Sequence, residues 1–167
     1  MTPDLFWIPG PWRGNLAVST RPRGGDWAED EARGWRQAGI EIVVSLLEAN
    51  EAAELGLARE GEAAQAAGMR FLSFPIPDRD VPSAMAPARM LLKQLSEELE
   101  SGHNVAVHCR QGIGRSGLIA VGTLAAAGID IESAIRTVST ARGLAIPETP
   151  AQLDWLRRLP SENLVTT

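Results

Sequence analysis

Several residue types that commonly carry chemistry are scarce in this chain: tyrosine is absent, cysteine occurs once and histidine twice. A single thiol excludes an intrachain disulfide, and it is too few for a zinc site built on thiolates. Long apolar runs are missing as well. The longest mostly apolar stretch, Leu118–Ile129, has 12 residues. Crossing a bilayer takes about 20, so this stretch reads as a buried helix. Positive charge is not in excess, with 16 basic against 21 acidic residues and a net charge of -5. Neither nucleic acid nor an anionic membrane is therefore an expected partner. Met1, Thr2, Pro3 and Asp4 form neither a basic nor an apolar leader; no targeting segment is expected, and the cytoplasm is the expected compartment. Repeats, low-complexity tracts and Ser/Gly linkers are absent, so one domain spanning 1–167 is expected.

What is present is an alternation of strand and helix patterns. Leu16–Ser19 follows a Pro/Gly-rich turn and reads as a short strand. Asp26 is a candidate cap for a helix through Trp35 and Gln37, stopped by Gly39. Ile40–Leu47 is β-branched and almost continuously apolar, as a buried parallel strand is. Ala49–Ala67 predicts two short helices broken by glycines, and Met69–Phe74 another strand closed by Pro75 and Pro77. From Pro87 to Ser101, Met90, Leu91, Leu95 and Leu99 recur at helical spacing, with Gly102 as the stop. Asn104–His108 is a strand; helices follow over Arg115–Ala127, Ile131–Ala141 and Pro150–Leu159. This order predicts a single α/β domain with a central, largely parallel sheet of four to five strands flanked by helices. In such sheets ligands gather beyond the carboxyl ends of the strands.

One loop lies there. It reads His108-Cys109-Arg110-Gln111-Gly112-Ile113-Gly114-Arg115-Ser116, with a strand running in and a helix running out. Backbone N–H groups in such a turn converge on an anion, and the helix dipole adds to them. Gly112 and Gly114 supply unusual backbone angles and close approach. In isolation a lone cysteine is a small buried apolar residue. At the mouth of this nest Cys109 is instead a thiolate nucleophile, favoured by the helix terminus and a nearby cation. Arg115 offers a planar fork that matches two phosphate oxygens. Together they suit in-line attack on phosphorus, giving a cysteinyl-phosphate that water removes. Ser116 is placed to donate to the sulfur as it leaves. His108 is expected to order the loop.

His-Cys, five residues, then Arg-Ser resembles the signature of the protein tyrosine phosphatase superfamily. Gly112-Ile113-Gly114 before the arginine narrows the resemblance to the dual-specificity group, in its compact kinase-associated and Cdc14-like form. The resemblance implies a general acid from a loop some 30 residues upstream. Phe74-Pro75-Ile76-Pro77-Asp78-Arg79-Asp80-Val81-Pro82 is similar to that loop. Aligned on the family's Trp-Pro-Asp-x-Gly-x-Pro, Asp78 falls on the acid and Asp80 on the glycine, which favours Asp78. Arg142 to Gln152 resembles the segment that positions the hydrolytic water; Thr149 and Gln152 match, while Glu148 stands where the family has glutamine. Gln152 is the candidate, and Arg142 is expected to pack on the phosphate loop without chemistry of its own. Ser45-Leu46-Leu47-Glu48 is a weaker match to the family's strand-and-loop start, and Trp7 and Trp12 are expected in the core.

The expected activity is hydrolysis of a phosphate monoester, with Arg110, Gln111, Gly112, Ile113, Gly114 and Arg115 around the phosphate and no metal or cofactor. Phosphoinositide phosphatases of this superfamily carry lysines where Arg110 and Gln111 stand; one cation here favours a singly phosphorylated substrate. A phosphorylated protein leads, as a protein-tyrosine or dual-specificity substrate. A small phosphate ester and a non-catalytic phosphate-binding module are the alternatives. A sulfur-transfer or arsenate-reducing enzyme is disfavoured because resolving cysteines are absent.

Overall fold

Side chains alternate across the sheet with the period of two that extended backbone imposes. Leu16, Val18, Ile42, Val44, Val105 and Val107 point to one core, Val43 and Ala106 to a second. Two apolar faces need two covering layers, and the chain supplies them. The computed structural model describes residues 3–163; the remaining ends of the span expected as one domain lie outside the described residues.

The strands are β1 (Leu5–Ile8), β2 (Leu16–Ser19), β3 (Ile42–Ser45), β4 (Arg70–Ser73) and β5 (Val105–His108). They form one sheet in the order β1-β2-β5-β3-β4, parallel except for the antiparallel β1–β2 pair. The helices are α1 (Ala28–Gln37), α2 (Ala49–Glu54), α3 (Glu60–Ala66), α4 (Met85–Glu100), α5 (Gly114–Ala126), α6 (Ile131–Arg142) and α7 (Pro150–Asn163). Trp35 of α1 and Ala63 and Ala64 of α3 cover the second face, and α4 to α7 cover the first.

Helix α5 is the centre of the larger layer. Every residue from Gly114 to Leu124 is buried, so each of Leu118, Ile119 and Leu124 contributes roughly 1.5–3 kcal/mol of burial free energy. Gly122 lets α4 approach: a Cβ there would meet Leu92 Cδ1 at 2.7 Å. On α4 the buried set is Ala88, Leu91, Leu92, Leu95 and Leu99. Met90, expected on that face, is 72% exposed; the burying stripe runs through 88, 91, 92, 95 and 99, which turns position 90 outward.

Other expectations shift in detail. The strand over Ile40–Leu47 is only Ile42–Ser45, because Leu46 and Leu47 already turn toward α2. Asp26 does not cap α1. A short 3₁₀ turn, Gly25–Trp27, precedes that helix, and no side chain caps it. The Gly25 N–H bonds to the Gly56 carbonyl at 2.9 Å, which pins that turn to the α2–α3 connection. Trp12 does join the core, its Nε1–H donating to Ser96 Oγ at 3.2 Å, but Trp7 is 43% exposed on the edge strand β1. That strand, four residues with no polar alternation, carries no clear strand pattern in sequence.

Parallel register aligns the carboxyl ends of the strands. Ser19 and Ser45 both pair with His108, and Ser73 pairs with Ser45. The loop at Cys109 leaves from the middle of that row.

Candidate active site

Cys109 follows the last residue of β5 and opens a turn that ends at the first residue of α5. Gly112 turns the chain with φ of +72°, and a Cβ there would meet the Ser19 carbonyl oxygen at 2.9 Å. Only glycine meets both demands. Gly114 has no unusual φ; a Cβ there would displace the Glu148 carboxylate, 2.5 Å away, and crowd Gln152 Nε2 at 3.2 Å. Arg142, at the end of α6, donates from Nε to the Gly112 carbonyl at 2.7 Å and from Nη2 to the Gln111 carbonyl at 3.3 Å. Its guanidinium stacks 3.9 Å over the Phe6 ring. Two carbonyls are thus tied back, while the Ile113 and Ser116 N–H groups point to the Cys109 sulfur.

Cys109 Sγ lies 3.3 Å from Ser116 Oγ. Burial opposes ionisation of this thiol, but hydrogen bonds from the Ser116 hydroxyl, from the Ser116 and Ile113 N–H groups, and the charge of Arg115 outweigh it. The net effect holds the thiol below its ordinary range. Ile113 thus serves through its backbone while its side chain packs on the core.

Arg115 is buried, and its side chain is fully specified. Nη1 donates to Glu51 Oε1 at 2.7 Å and to the Ile76 carbonyl at 2.9 Å; Nη2 donates to Glu51 Oε2 at 3.0 Å. Asp78 Oδ1 is 3.2 Å from Nη2. That leaves Nε and the Nη2 edge facing Asp78 as the side of the fork that a phosphate can take. Glu51 has no counterpart among the sequence candidates. Its local signal was the pair Glu48 and Glu51, which form a capping box at the start of α2 directly after β3. Burial raises the Glu51 carboxyl, but Arg115, the hydrogen bonding at Glu48 and Arg110 together hold it below its ordinary range.

A cavity of about 150 Å³ opens over the cysteine, lined by Asp78, Arg79, Cys109, Arg110, Gln111, Gly114, Arg115 and Glu148. Asp78 is in its wall. Asp80 is not; its carboxylate accepts from the Val81 N–H at 2.8 Å and stays on its own loop. Arg110 reaches back to Glu51 at 3.6 Å and Glu54 at 3.9 Å. Gln152 is fully buried rather than on the cavity wall. Its Oε1 accepts from the Glu148 and Thr149 N–H groups at 3.1 and 3.2 Å, and its Nε2 donates to the Asp80 carbonyl at 3.1 Å. It therefore joins α7 to the loop that carries Asp78. Arg79, with φ of +63°, makes a second tie by donating to Glu148 Oε1 at 2.9 Å. A larger groove of about 670 Å³ lies between α4 and the carboxyl-terminal halves of α5 and α7; it is lined by residues such as Leu92, Ala125 and Leu159 and has no cysteine, serine or threonine in its lining.

His108 points the other way, to the α1–α3 face. Its Nε2 is 2.5 Å from Glu60 Oε2 and its Nδ1 3.1 Å from the Cys109 carbonyl oxygen.

A largely parallel sheet with a buried cysteine, an arginine fork and inward N–H groups at its carboxyl edge defines a cysteine-dependent phosphatase of the protein tyrosine phosphatase superfamily, dual-specificity type. The chain belongs to the family described as "Polymorphic toxin system, DSP-PTPase phosphatase", which it matches over residues 18–129. Solved structures agree on the fold. Kinase-associated phosphatase with its catalytic cysteine replaced by serine superposes with a TM-score of 0.88 at 19% identity, covering 100% of this chain and 98% of that one. Tk-PTP in its active form gives 0.77 at 28% identity over 95% and 97%. PTPMT1 in complex with PI(5)P gives 0.74 at 19% identity over 95% and 97%. No curated protein matches the sequence.

Proposed function

We propose that this phosphatase works through a cysteinyl-phosphate formed on Cys109, and the observation that carries the reading is that Cys109 and Arg115 open into one small cavity, with the buried Ser116 hydroxyl 3.3 Å from the sulfur. In the first step the Cys109 thiolate attacks phosphorus as the P–S bond forms and the ester P–O bond breaks. The Asp78 carboxyl gives its proton to the departing oxygen, an assistance worth about 10²–10⁴-fold. A phosphate oxygen takes the place of Asp78 on Arg115 Nη2, which frees the carboxyl to face the ester oxygen. The nest N–H groups and Arg115 carry the charge on the equatorial oxygens.

In the second step water attacks phosphorus, a P–O bond forms and the P–S bond breaks. Asp78, now a carboxylate, takes the water proton. The Ser116 hydroxyl donates to the leaving sulfur. Glu148 stands on the cavity wall where the family's water-positioning glutamine is expected, while Gln152 has its carboxamide occupied. We assign Gln152 a supporting role in holding the Asp78 loop, and Asp80 acts there through its carbonyl alone.

A phosphorylated protein is our leading substrate class, as phosphotyrosine or phosphoserine/threonine. A small phosphate ester is the second reading, and one feature favours it: the cavity wall is polar and carries no aromatic side chain to flank a phenyl ring. The cytoplasm suits a nucleophile that must stay a reduced thiol. The test is turnover of a generic aryl phosphate without added metal, native protein against Cys109→Ser. Loss of turnover in the variant is expected; equal turnover overturns the mechanism.

A further inference from the structure

A second short polar contact behind the catalytic loop lies on the opposite face of the sheet, between His108 at the end of β5 and Glu60. His108 is wholly buried, and Glu60, on α3, is 5% exposed. Neither belongs to the cavity over the cysteine. The imidazole is enclosed by the Trp35 ring, 5.7 Å away between centroids, and both of its nitrogens have a partner. Ser19 completes that side, its hydroxyl held between Trp35 Nε1–H and the Thr20 carbonyl.

Those partners fix how many protons the His108–Glu60 pair holds: one for each of the two contacts. Nδ1 faces the Cys109 carbonyl oxygen at 3.1 Å, and a carbonyl can only accept. Nε2 faces the Glu60 carboxylate at 2.5 Å. Beside a Glu60 carboxylate, a neutral imidazole with its one N–H can satisfy one of the two acceptors and sets a bare nitrogen lone pair against the other. The imidazolium satisfies both. A buried carboxylate without a cation is strongly disfavoured, so Glu60 and His108 each supply what the other needs in an apolar layer.

We propose that Glu60 is a positioning residue for the catalytic loop: it holds His108 as an imidazolium whose Nδ1–H clamps the Cys109 carbonyl, so that reactivity at the cysteine is set from the far face of the sheet. The inference rests on Cys109 being the nucleophile. The clamp turns that carbonyl away from the phosphate side of the loop, complementing Arg142 at Gln111 and Gly112. It also orients the ion pair with its positive end toward the thiolate and its negative end toward α3. The charged groups acting on the imidazole are Glu60 from α3 and Cys109 itself; α1 and β2 present only the Trp35 ring and the Ser19 hydroxyl. Burial works against the imidazolium, and Glu60 and the Cys109 carbonyl more than offset it, raising the His108 value.

Glu60→Gln separates charge from packing. A glutamine amide can donate to Nε2 while Nδ1–H still serves the Cys109 carbonyl, so every hydrogen bond survives with a neutral ring. The experiment combines ¹⁵N imidazole NMR with the pH profile of Cys109 alkylation by iodoacetamide. In the native protein at pH 7, protons on both ring nitrogens are expected. In Glu60→Gln, His108 becomes neutral, and the alkylation midpoint moves up by about half a pH unit, roughly threefold in rate below the midpoint. Glu60→Asp restores the doubly protonated ring. A singly protonated ring in the native protein, or an unmoved midpoint in a folded Glu60→Gln variant, overturns the proposal. If that variant does not fold, the native spectrum decides. Native-level turnover by Cys109→Ser removes the nucleophile reading instead, and leaves the spectrum unaffected.

Discussion

Glu51 grips Arg115 through two parallel N–H···O bonds, 2.7 and 3.0 Å long, between the first turn of α2 and the start of α5. The two residues are 64 positions apart and both are buried. The pair orients the fork before any phosphate arrives, so a substrate meets a side chain that has already lost its rotamer freedom.

Removing one partner leaves the other as an uncompensated buried charge. Glu51→Ala is therefore expected to cost about 3–5 kcal/mol of stability and to cut kcat/KM as the fork loses its orientation. Glu51→Gln keeps one acceptor and should be milder in both. Chemical denaturation together with aryl phosphate kinetics checks this. Glu51→Ala with native kcat/KM sinks the orienting role.

Asp78 and Asp80 are separated by their surroundings: one lines the cavity, the other is tied to Val81 N–H. Asp78→Asn is expected to lower kcat about 10²–10⁴-fold on an unactivated ester and to erase the basic limb of the pH–rate profile, since the acid must be protonated to act. Asp80→Asn should keep the limb. A reversed pattern assigns the acid to Asp80.

Ser116 is the principal hydrogen-bond donor holding the Cys109 thiol below its ordinary value against burial. In Ser116→Ala the thiol should rise, and the second step should slow more than the first, because the leaving sulfur loses its donor. Rapid-quench kinetics should then show a larger burst of cysteinyl-phosphate. A variant with no burst and a native alkylation profile refutes this role.

Stability should respond to pH in opposite senses at the two neighbours. His108 is raised by Glu60 despite its burial. Its contribution is full below its unfolded value, about 6.5, and is lost as pH climbs through the higher folded one. Cys109 is lowered; its contribution is present above the unfolded thiol value and is lost as pH falls through the folded one. Thermal melts of Cys109→Ser, which lacks the second effect, should decline from pH 6 to pH 9, and Glu60→Gln in that background should flatten the decline. An equal slope in both rules out the His108 contribution.

Gly112→Ala forces an L-residue into φ of +72°, at about 1–2 kcal/mol. The added methyl carbon also meets the Ser19 carbonyl at 2.9 Å. Loss of both stability and phosphate or vanadate binding is expected, by calorimetry. Unchanged binding places the nest elsewhere.

Much of this protein was legible from residue order alone, and the reason is locality. The sequence Val105–Ser116 holds a strand, an anion-binding turn and a helix start within twelve positions. Its nucleophile, fork and glycines meet through short-range backbone geometry, so they could be read together. The alternating apolar strands and the α5 run likewise report their own burial. Tertiary structure decided what depends on contacts between distant segments. Glu51 becomes the partner of Arg115 only because parallel pairing of β3 with β5 brings the ends of those strands side by side. Glu60 reaches His108 only because α3 packs on the face toward which position 108 points. Gln152 ends in the core and Glu148 on the cavity wall because α7 is docked against α5, not because either residue type demands it. A charged side chain states its own chemistry in the sequence; which partner satisfies it is set by where the fold removes water.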